Sequence, residues 1–287
     1  MFPCLFASDL HGSVHRYQRL FEAIASERPA VVFLGGDLFP SGLAPWKGPP
    51  SSEGDFLSGF LIPELEALGN RLGRSYPEIL LILGNDDMRV EERAVKESEG
   101  GGLWRYLHGI RHSVGVFDFC GYAFVPPTPF LLKDWERYDV SRYVPPGCVS
   151  PEEGWRTVEV PPHETRYGTI KGDLEELTGD GDLSRSVFLF HTPPHETMLD
   201  RAALDGKMVD HVPLDLHVGS IAVRRFVERR QPLLTLHGHI HESARLTGSW
   251  KDRIGRTHLF SAAHDGPELA LVRFDLEHPE GATRSLA

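Results

Sequence analysis

Five short apolar runs constrain the fold of this chain more than any other feature, because each run ends in polar, ligand-type side chains. The runs are Phe2–Ala7, Ala30–Leu34, Ile79–Leu83, Val187–Phe190 and Leu233–Leu236. Runs of this length are typical of buried β-strands. Apolar residues spaced by three and four from Val14 to Ala25 predict a helix between the first two runs, and hence a right-handed βαβ unit. Because open α/β sheets bind ligands at the carboxyl ends of their strands, we expect the polar residues after these runs to share one site.

The remaining pattern is less regular. It predicts a helix over residues 56–72 with Pro63 as a kink or late start, a two-residue hairpin at Cys120-Gly121, a helix from Ser220 to Arg230, closing strands at 257–262 and 268–276, and a frayed tail from Pro279. Residues 40–54 and 126–185 are rich in loop-forming residues, and we expect them to supply the walls of a pocket. We expect one domain over 1–287, with a loop-rich insert at about 126–185.

Composition excludes several classes of protein. A net charge of −11 over 287 residues argues against a protein that coats duplex nucleic acid, which would carry a basic stripe. A small anionic substrate stays compatible with this charge, because bound cations can dominate the local field. No apolar run reaches the length of a membrane span. Three cysteines without CxxC spacing and an N-terminus without a basic n-region lead us to expect a cytoplasmic protein.

The fifth apolar run leads into three histidines at alternate positions, His237, His239 and His241, with Gly238 after the first. If the chain stays extended, His239 and His241 face the same side. Glycine lets the backbone turn or approach a ligand closely, and imidazole is the commonest metal-binding side chain. The alternative is a polar turn that happens to be rich in histidine.

Together, the strand ends supply two carboxylates, one amide and four imidazoles. These candidate ligands are Asp9, His11, Asp37, Asn85, His191, His239 and His241. The mixture suits Mn²⁺, Fe²⁺ or Zn²⁺ and is too rich in nitrogen for Ca²⁺. Seven ligands are too many for one ion and suit two ions that share a carboxylate. Taken singly, Asp9 and Asp37 would favour helix N-caps, and Asn85 is compatible with a turn; the occurrence of such residues at five strand ends is what favours a shared site.

The ordered set Asp9-x-His11, Gly35-Gly36-Asp37, Gly84-Asn85, His191 and Gly238-His239-x-His241 resembles the motifs of the calcineurin-like metallophosphoesterase superfamily. The resemblance implies a four-layer α/β/β/α sandwich of two mixed sheets flanked by helices. It implies two divalent ions, for which we expect Mn²⁺, with Fe²⁺, Zn²⁺ and Ni²⁺ as alternatives. One ion would be held by Asp9, His11, Asp37 and His241, and the other by Asp37, Asn85, His191 and His239. A hydroxide bridging the two ions would attack phosphorus in line.

One position departs from the family pattern. Members of the superfamily usually carry histidine after Gly-Asn, where it contacts the phosphate and protonates the leaving group, and this chain has Asp86. A carboxylate is a poor partner for an anionic phosphate unless it is protonated, and two nearby cations oppose protonation. Asp86 therefore either acts as an acid with a raised pKa or serves substrates whose leaving group needs little protonation. The third alternative is a protein of low activity. We take Asp86, Asn85 and His191 as the catalytic candidates.

These observations predict a dinuclear phosphoesterase that acts on a small phosphorylated substrate, with nucleotide-type phosphodiesters favoured because a diester carries a single negative charge. The alternatives are a phosphomonoesterase acting on nucleotides or proteins, and a metal-binding scaffold of low activity. All seven ligand-type residues are present, which counts against the scaffold. The acidic charge counts against a nuclease.

Several other polar residues are weaker candidates. His195 and Glu242 either orient metal ligands, line the pocket or lie in a solvated loop, and His217 is a candidate pocket residue. For the others we expect surface or turn positions: His264, Asp265, His163, His108, His112, and Arg224, Arg225, Arg229 and Arg230 on the exposed face of a helix.

Overall fold

Two mixed six-stranded β-sheets form the centre of the protein, and helices flank them, which confirms the predicted fold class. The computed structural model describes residues 1–41 and 55–287. In chain order its strands are β1 (Pro3–Ala7), β2 (Val31–Gly35), β3 (Glu78–Ile82), β4 (Arg105–Tyr106), β5 (Arg111–Val114), β6 (Phe117–Tyr122), β7 (Ser186–Phe190), β8 (Met208–Val209), β9 (Val212–Pro213), β10 (Leu234–His237), β11 (Lys251–Ile254), β12 (Thr257–Ser261), β13 (Ala270–Asp275) and β14 (His278–Leu286).

The first sheet has the order β14-β13-β1-β2-β3-β4, and the second has the order β11-β12-β10-β7-β6-β5. In the first sheet β1 to β4 run parallel, while β13 pairs antiparallel with β1 and with β14. In the second sheet β6, β7, β10 and β12 run parallel, with antiparallel edge strands β5 and β11. The five strands of the sequence pattern are therefore parallel central strands, which explains why they are almost wholly apolar.

The α-helices are α1 (Val14–Glu27), α2 (Ile62–Leu72), α3 (Glu92–Ser98), α4 (Pro162–Tyr167), α5 (Ile170–Thr178), α6 (Ile221–Arg230) and α7 (Ser243–Thr247). The Ser13 side chain caps α1 by accepting the Arg16 N–H, and Ser220 caps α6 in the same way from Val223. The helical segment predicted over residues 56–72 is confirmed and does not start late, because a π-helical turn over Leu57–Leu61 continues directly into α2, which carries Pro63 in its first turn.

Aromatic rings fill the space between the two sheets. Phe33 of β2 lies 5.4 Å from Phe119 of β6 and 6.0 Å from Phe274 of β13, measured between ring centroids. On the outer face of the second sheet, Phe226 of α6 packs at 4.9 Å on Phe188 of β7. Contacts of this kind bury large apolar areas on both faces of each sheet and hold the strand ends at fixed positions.

Backbone hydrogen bonds bring the carboxyl ends of the central strands together. The Asp9 N–H donates to the Gly36 carbonyl at 3.0 Å, which joins the loops after β1 and β2. In the second sheet, the Gly238 N–H donates to the His191 carbonyl at 2.9 Å and joins the loops after β10 and β7. The polar residues after all five strands consequently lie on one edge of the sandwich.

Two predicted elements are wrong. No hairpin turns at Cys120-Gly121, because both residues lie inside the continuous strand β6, and the turn lies instead between β5 and β6 at Gly115 (φ 62°). The tail from Pro279 is not frayed, because it forms β14 along β13 from the Ala270–Leu286 pair onward. The alternation in β14 is weak because one of its faces is exposed, so the sequence resembles a loop.

The two regions predicted as loops, 40–54 and 126–185, agree with the structure only in part where the structure describes them. Most of 40–54 lies outside the described residues. Within 126–185 the structure has α4 and α5, and residues 126–161 are irregular, joined to the rest by isolated bridges such as Val125 to Glu136. The single-domain division stays a prediction. Among residues 1–41 and 55–287, no helix is long and apolar enough to cross a lipid bilayer.

Candidate metal centre

Four of the predicted ligands form one tight group at the strand-end edge. One donor atom each from Asp9, His11, Asp37 and His241 lies within 4.8 Å of the other three. The two carboxylates are buried, whereas the two imidazoles are half-buried. The His241 Nε2 atom lies 3.3 Å from Asp9 Oδ1 and 3.3 Å from His11 Nε2. These are the residues that the family resemblance assigns to one ion.

The remaining predicted ligands form a second group on the other side of Asp37. His191 Nε2 lies 3.3 Å from Asp37 Oδ2 and 3.1 Å from Asn85 Oδ1. His191 Nδ1 donates to the Gly35 carbonyl at 2.8 Å, which directs Nε2 into the site. The His239 ring lies 5.2 Å from the His191 ring. Asp37 is therefore in contact with both groups.

The backbone of four candidate ligands adopts the left-handed region that residues other than glycine rarely occupy. Their φ angles are 57° for Asp9, 46° for His11, 52° for Asp37 and 72° for His239. Such conformations cost free energy and cluster at functional sites. The expected extended geometry after β10 is wrong, because the strand ends at His237 and the chain then turns. His241 thus lies in the first group, and His239 lies beside His191 in the second.

Two glycines are needed for this close approach. A Cβ atom at Gly238 would overlap the Ser8 hydroxyl and lie 2.7 Å from Asp9 Oδ2. A Cβ atom at Gly84 would overlap Asp37 and lie 2.7 Å from the His191 ring. The glycines of the two sequence motifs therefore have a steric role.

The chemistry of the buried donors fits a divalent cation. Asp9 Oδ2 is buried and has no hydrogen-bond partner, which is costly for a carboxylate oxygen and would be relieved by a cation. Burial alone would raise the pKa of Asp9, but the His241 hydrogen bond and charge outweigh it and lower this pKa. Burial opposes charge on His191, yet Asp37 raises its pKa to about 10. Burial lowers the pKa of His239 to about 3, so this imidazole is neutral and able to bind a metal at neutral pH.

Asp86, the departure from the family pattern, lies at the rim of the first group. Its Oδ2 atom accepts a hydrogen bond from the Ser41 hydroxyl at 3.1 Å and lies 3.6 Å from His11 Nδ1. Its backbone N–H donates to Asp37 Oδ1 at 2.8 Å. Burial and then the Asp37 charge raise the pKa of Asp86.

Sequence reasoning missed two residues that shape the site. Asp87 is fully buried and accepts the backbone N–H groups of Leu38, Phe39 and Gly84, so it ties the loops after β2 and β3 together. Arg16 donates to the backbone carbonyls of Asp9 and Gly266. The only sequence signal for Asp87 is its position directly after the Asn85-Asp86 pair. Nothing in the sequence marks Arg16 as a residue of the site.

The neighbouring histidines have separate roles. His237 is fully buried, and its two ring nitrogens lie 3.0 Å from the Thr192 carbonyl oxygen and 2.7 Å from the Thr235 hydroxyl, so neither is directed at the metal centre. His195 lies 3.1 Å from Asp215, and His217 lies 2.8 Å from buried Asp200. His195, His217 and Glu242 all line a cavity beside the site.

The residues expected at the surface divide into three sets. His163, Arg225 and Arg229 are exposed, and Asp265 pairs with Arg245 in the turn that also holds His264. For His108 the expectation is wrong, because its ring packs against those of Tyr122, Phe124 and Trp135. Three others are half-buried: His112 pairs with Glu78, and Arg224 and Arg230 donate to backbone carbonyls.

Fold and donor cluster together define a class of protein, an α/β sandwich with a candidate divalent metal centre at its strand ends. The sequence model of the calcineurin-like phosphoesterase family matches residues 2–243, and the chain belongs to that family. Membership indicates a hydrolase that acts on phosphoesters with the help of divalent metal ions. No curated protein gave a significant match.

Solved structures show the same fold. One crystal structure is 16% identical in sequence and superposes with a TM-score of 0.59, covering 99% of this chain and 98% of the other. The crystal structure of TT1561 of Thermus thermophilus is 14% identical and gives a TM-score of 0.56, again covering 99% of this chain and 98% of that one. At these identities the likeness concerns the fold alone.

Proposed function

We propose that the protein hydrolyses phosphodiesters with two divalent ions, for which we expect Mn²⁺. The observation that carries the proposal is the position of Asp37, whose carboxylate contacts both groups of candidate ligands. Two ions that share a carboxylate form the usual clamp for in-line displacement at phosphorus.

Each side chain has a definite task in this proposal. Asp9, His11 and His241 hold one ion, Asn85, His191 and His239 hold the other, and Asp37 is shared. Divalent ions held here would supply Lewis acidity to a phosphoryl oxygen and make water a stronger acid at neutral pH. The Gly35 carbonyl fixes the orientation of His191, and the Asp9 carboxylate fixes the His239 backbone through a 3.0 Å hydrogen bond.

Asp86 is the basis for favouring diesters. Two cations near Asp37 would stabilise ionised Asp86, which opposes the effects that raise its pKa. An ionised carboxylate at the rim repels a dianionic monoester more strongly than a monoanionic diester. Substrates whose leaving group needs little protonation suit such a site best.

The test is turnover of bis(p-nitrophenyl) phosphate beside p-nitrophenyl phosphate. Protein is stripped with a chelator and then supplied with Mn²⁺, and His239→Ala is compared with His163→Ala, which changes an exposed histidine. We expect metal-dependent diester turnover in wild type and His163→Ala and its loss in His239→Ala. Two tightly bound ions without turnover of either compound would instead support a binding protein.

A further inference from the structure

A cavity of about 440 Å³ opens directly beside the candidate metal centre. His239, Ile240 and Glu242, in the loop after β10, contribute to its wall, so it begins where the second group of candidate ligands ends. This volume is within the range that binds small organic ligands.

Carbon atoms dominate the lining of this cavity. Its lining includes residues 126–130 and 145–148, here called the first wall, and Ala202, Leu204 and Leu214, here called the second wall. Phe130 and Tyr143 also line the cavity and are 59% and 67% exposed. Exposed aromatic side chains beside an apolar cavity favour binding of an apolar group.

The described lining of the cavity includes neither lysine nor arginine. Its ionisable residues are three carboxylates, Asp139, Asp215 and Glu242, and three histidines, His195, His217 and His239. Asp139 accepts the Ile221 N–H at the start of α6, and Glu242 accepts the Ala203 N–H at 2.9 Å. His195 and His217 are already paired with Asp215 and Asp200, so a phosphate or carboxylate placed here would meet three carboxylates and no unpaired lysine or arginine of the described lining.

Buried polar contacts hold both walls in place. Lys133 and Glu136 form a buried ion pair at 2.6 Å, and both bind the backbone of Thr128 in the first wall. In the second wall, Asp200 is fully buried and accepts the Thr197 N–H at 2.9 Å and the Gly219 N–H at 3.2 Å. The cavity is thus formed before a ligand arrives, which lowers the entropic cost of binding.

We propose that this cavity binds one uncharged, apolar ester group of the substrate, either aryl or alkyl. The proposal rests on the proposed function and narrows it: the preferred diesters carry an apolar group and no second negative charge beside it. Nucleotides with additional phosphates next to the reacting one fall outside this class.

The test measures binding rather than turnover. Calorimetry on the Mn²⁺-loaded protein compares the affinities of three phosphonate monoesters, each with one negative charge at phosphorus. The compounds are methyl methylphosphonate, 1-naphthyl methylphosphonate, and a 1-naphthyl methylphosphonate that carries a carboxylate on its naphthyl ring. Each has a single ester group, so that group alone can occupy the cavity. We expect the naphthyl compound to bind at least about tenfold more tightly than the other two, because it buries apolar area without placing a charge among carboxylates.

Two pairs of variants locate the binding group. Leu204→Trp fills the cavity, whereas Met208→Trp places the same side chain at an exposed position outside it (56% exposed). Leu214→Lys adds a cation to the lining, whereas Val212→Lys adds the same charge at an exposed position (49% exposed). We expect Leu204→Trp to abolish the naphthyl preference and Leu214→Lys to shift it about tenfold toward the carboxylate compound. Met208→Trp and Val212→Lys should match wild type.

Equal affinities for the three compounds, or a Leu204→Trp variant that binds like wild type, would overturn the proposal. Its failure is distinguishable from failure of the proposed function. Diester turnover without a naphthyl preference refutes the cavity assignment alone. The expected order of affinities without any turnover refutes hydrolysis and leaves the cavity assignment standing.

Discussion

The strand-end edge and residues 126–138, which include part of the first cavity wall and are called the wall below, are both rich in buried polar groups. The polar groups of the two regions are arranged differently. At the edge, Asp9 and Asp37 lie among partners that leave a buried oxygen unpaired, and their backbones are left-handed. In the wall, Glu136 has three protein partners, the Lys133 ammonium, the Thr128 N–H and the Thr128 hydroxyl. The edge is thus incomplete without a cation, whereas the wall is complete by itself. Keeping a site ready for a ligand costs stability, whereas a buried ion pair makes the fold sensitive to the loss of either partner.

The strongest test of the difference between edge and wall is to remove the carboxylate of Asp37, which contacts both groups of candidate ligands. We expect Asp37→Asn to lower diester turnover by about 10³-fold and to reduce bound metal, because both groups lose a ligand. We expect the metal-free variant to lose only a little stability, because burial and the Asp9 charge oppose most of the attraction by which His191 lowers the pKa of Asp37. Metal analysis, turnover and urea unfolding measure these effects. Asp180→Asn, at an exposed position, is the control, and a marked loss of metal-free stability in Asp37→Asn would contradict the comparison.

In the wall we expect a substitution to lower the stability of the protein and to leave its metal content unchanged. Lys133→Met leaves the Glu136 carboxylate buried without its cation, and we expect it to lower the free energy of unfolding by about 3–5 kcal/mol. Urea unfolding measures the loss, and folded Lys133→Met should retain its metal. The double variant Lys133→Met/Glu136→Leu should recover much of the stability, and Arg93→Met, which removes one partner of an exposed pair, should be silent. Lys133→Met with wild-type stability would show that the pair does not hold the wall.

Asp86 is intermediate between the edge residues and the wall residues. It contacts the edge but does not belong to the group formed by Asp9, His11, Asp37 and His241. We expect Asp86→His to lower the ratio of diester to monoester turnover by about tenfold, since an imidazole no longer repels a dianion. The comparison uses the two p-nitrophenyl substrates at saturating Mn²⁺. Asp86→Asn removes the charge without adding a base, so it separates repulsion from proton transfer. An unchanged ratio in both variants would assign the substrate preference to the cavity.

The edge was predictable from sequence and the wall was not, for a physical reason. A parallel central strand is a continuous apolar run, and its end is marked by glycine and polar residues, so Asp9, Asp37 and Asn85 could be placed from local pattern alone. The Lys133–Glu136 pair stands in a stretch without periodicity and is defined by contacts to Thr128 and Trp155. The strand β14 and the ring packing of His108 likewise depend on partners distant in the chain. Local sequence does not encode such contacts.

The smallest expected effect is the contribution of His108, next to the wall, to the pH dependence of stability. The His108 ring packs against Trp135, and its Nδ1 accepts the Ala123 N–H at 3.0 Å, so the folded state holds a neutral imidazole. Burial lowers the pKa of His108 from 6.5 to about 3, and nearby Arg89 acts in the same direction against Glu92. Between these two pH values the unfolded chain binds a proton that the folded protein does not. The contribution of His108 to stability is therefore complete above about pH 6.5, and it falls by about 1.4 kcal/mol for each pH unit below that value. Urea unfolding of the metal-free protein at pH 7.5 and 5.5 measures the change.

His108→Gln should lose less stability than wild type over this range, and His163→Gln, at an exposed position, should lose as much as wild type. If His108→Gln loses as much as wild type, the pH dependence comes from the edge histidines, and the wall is less complete than its contacts indicate.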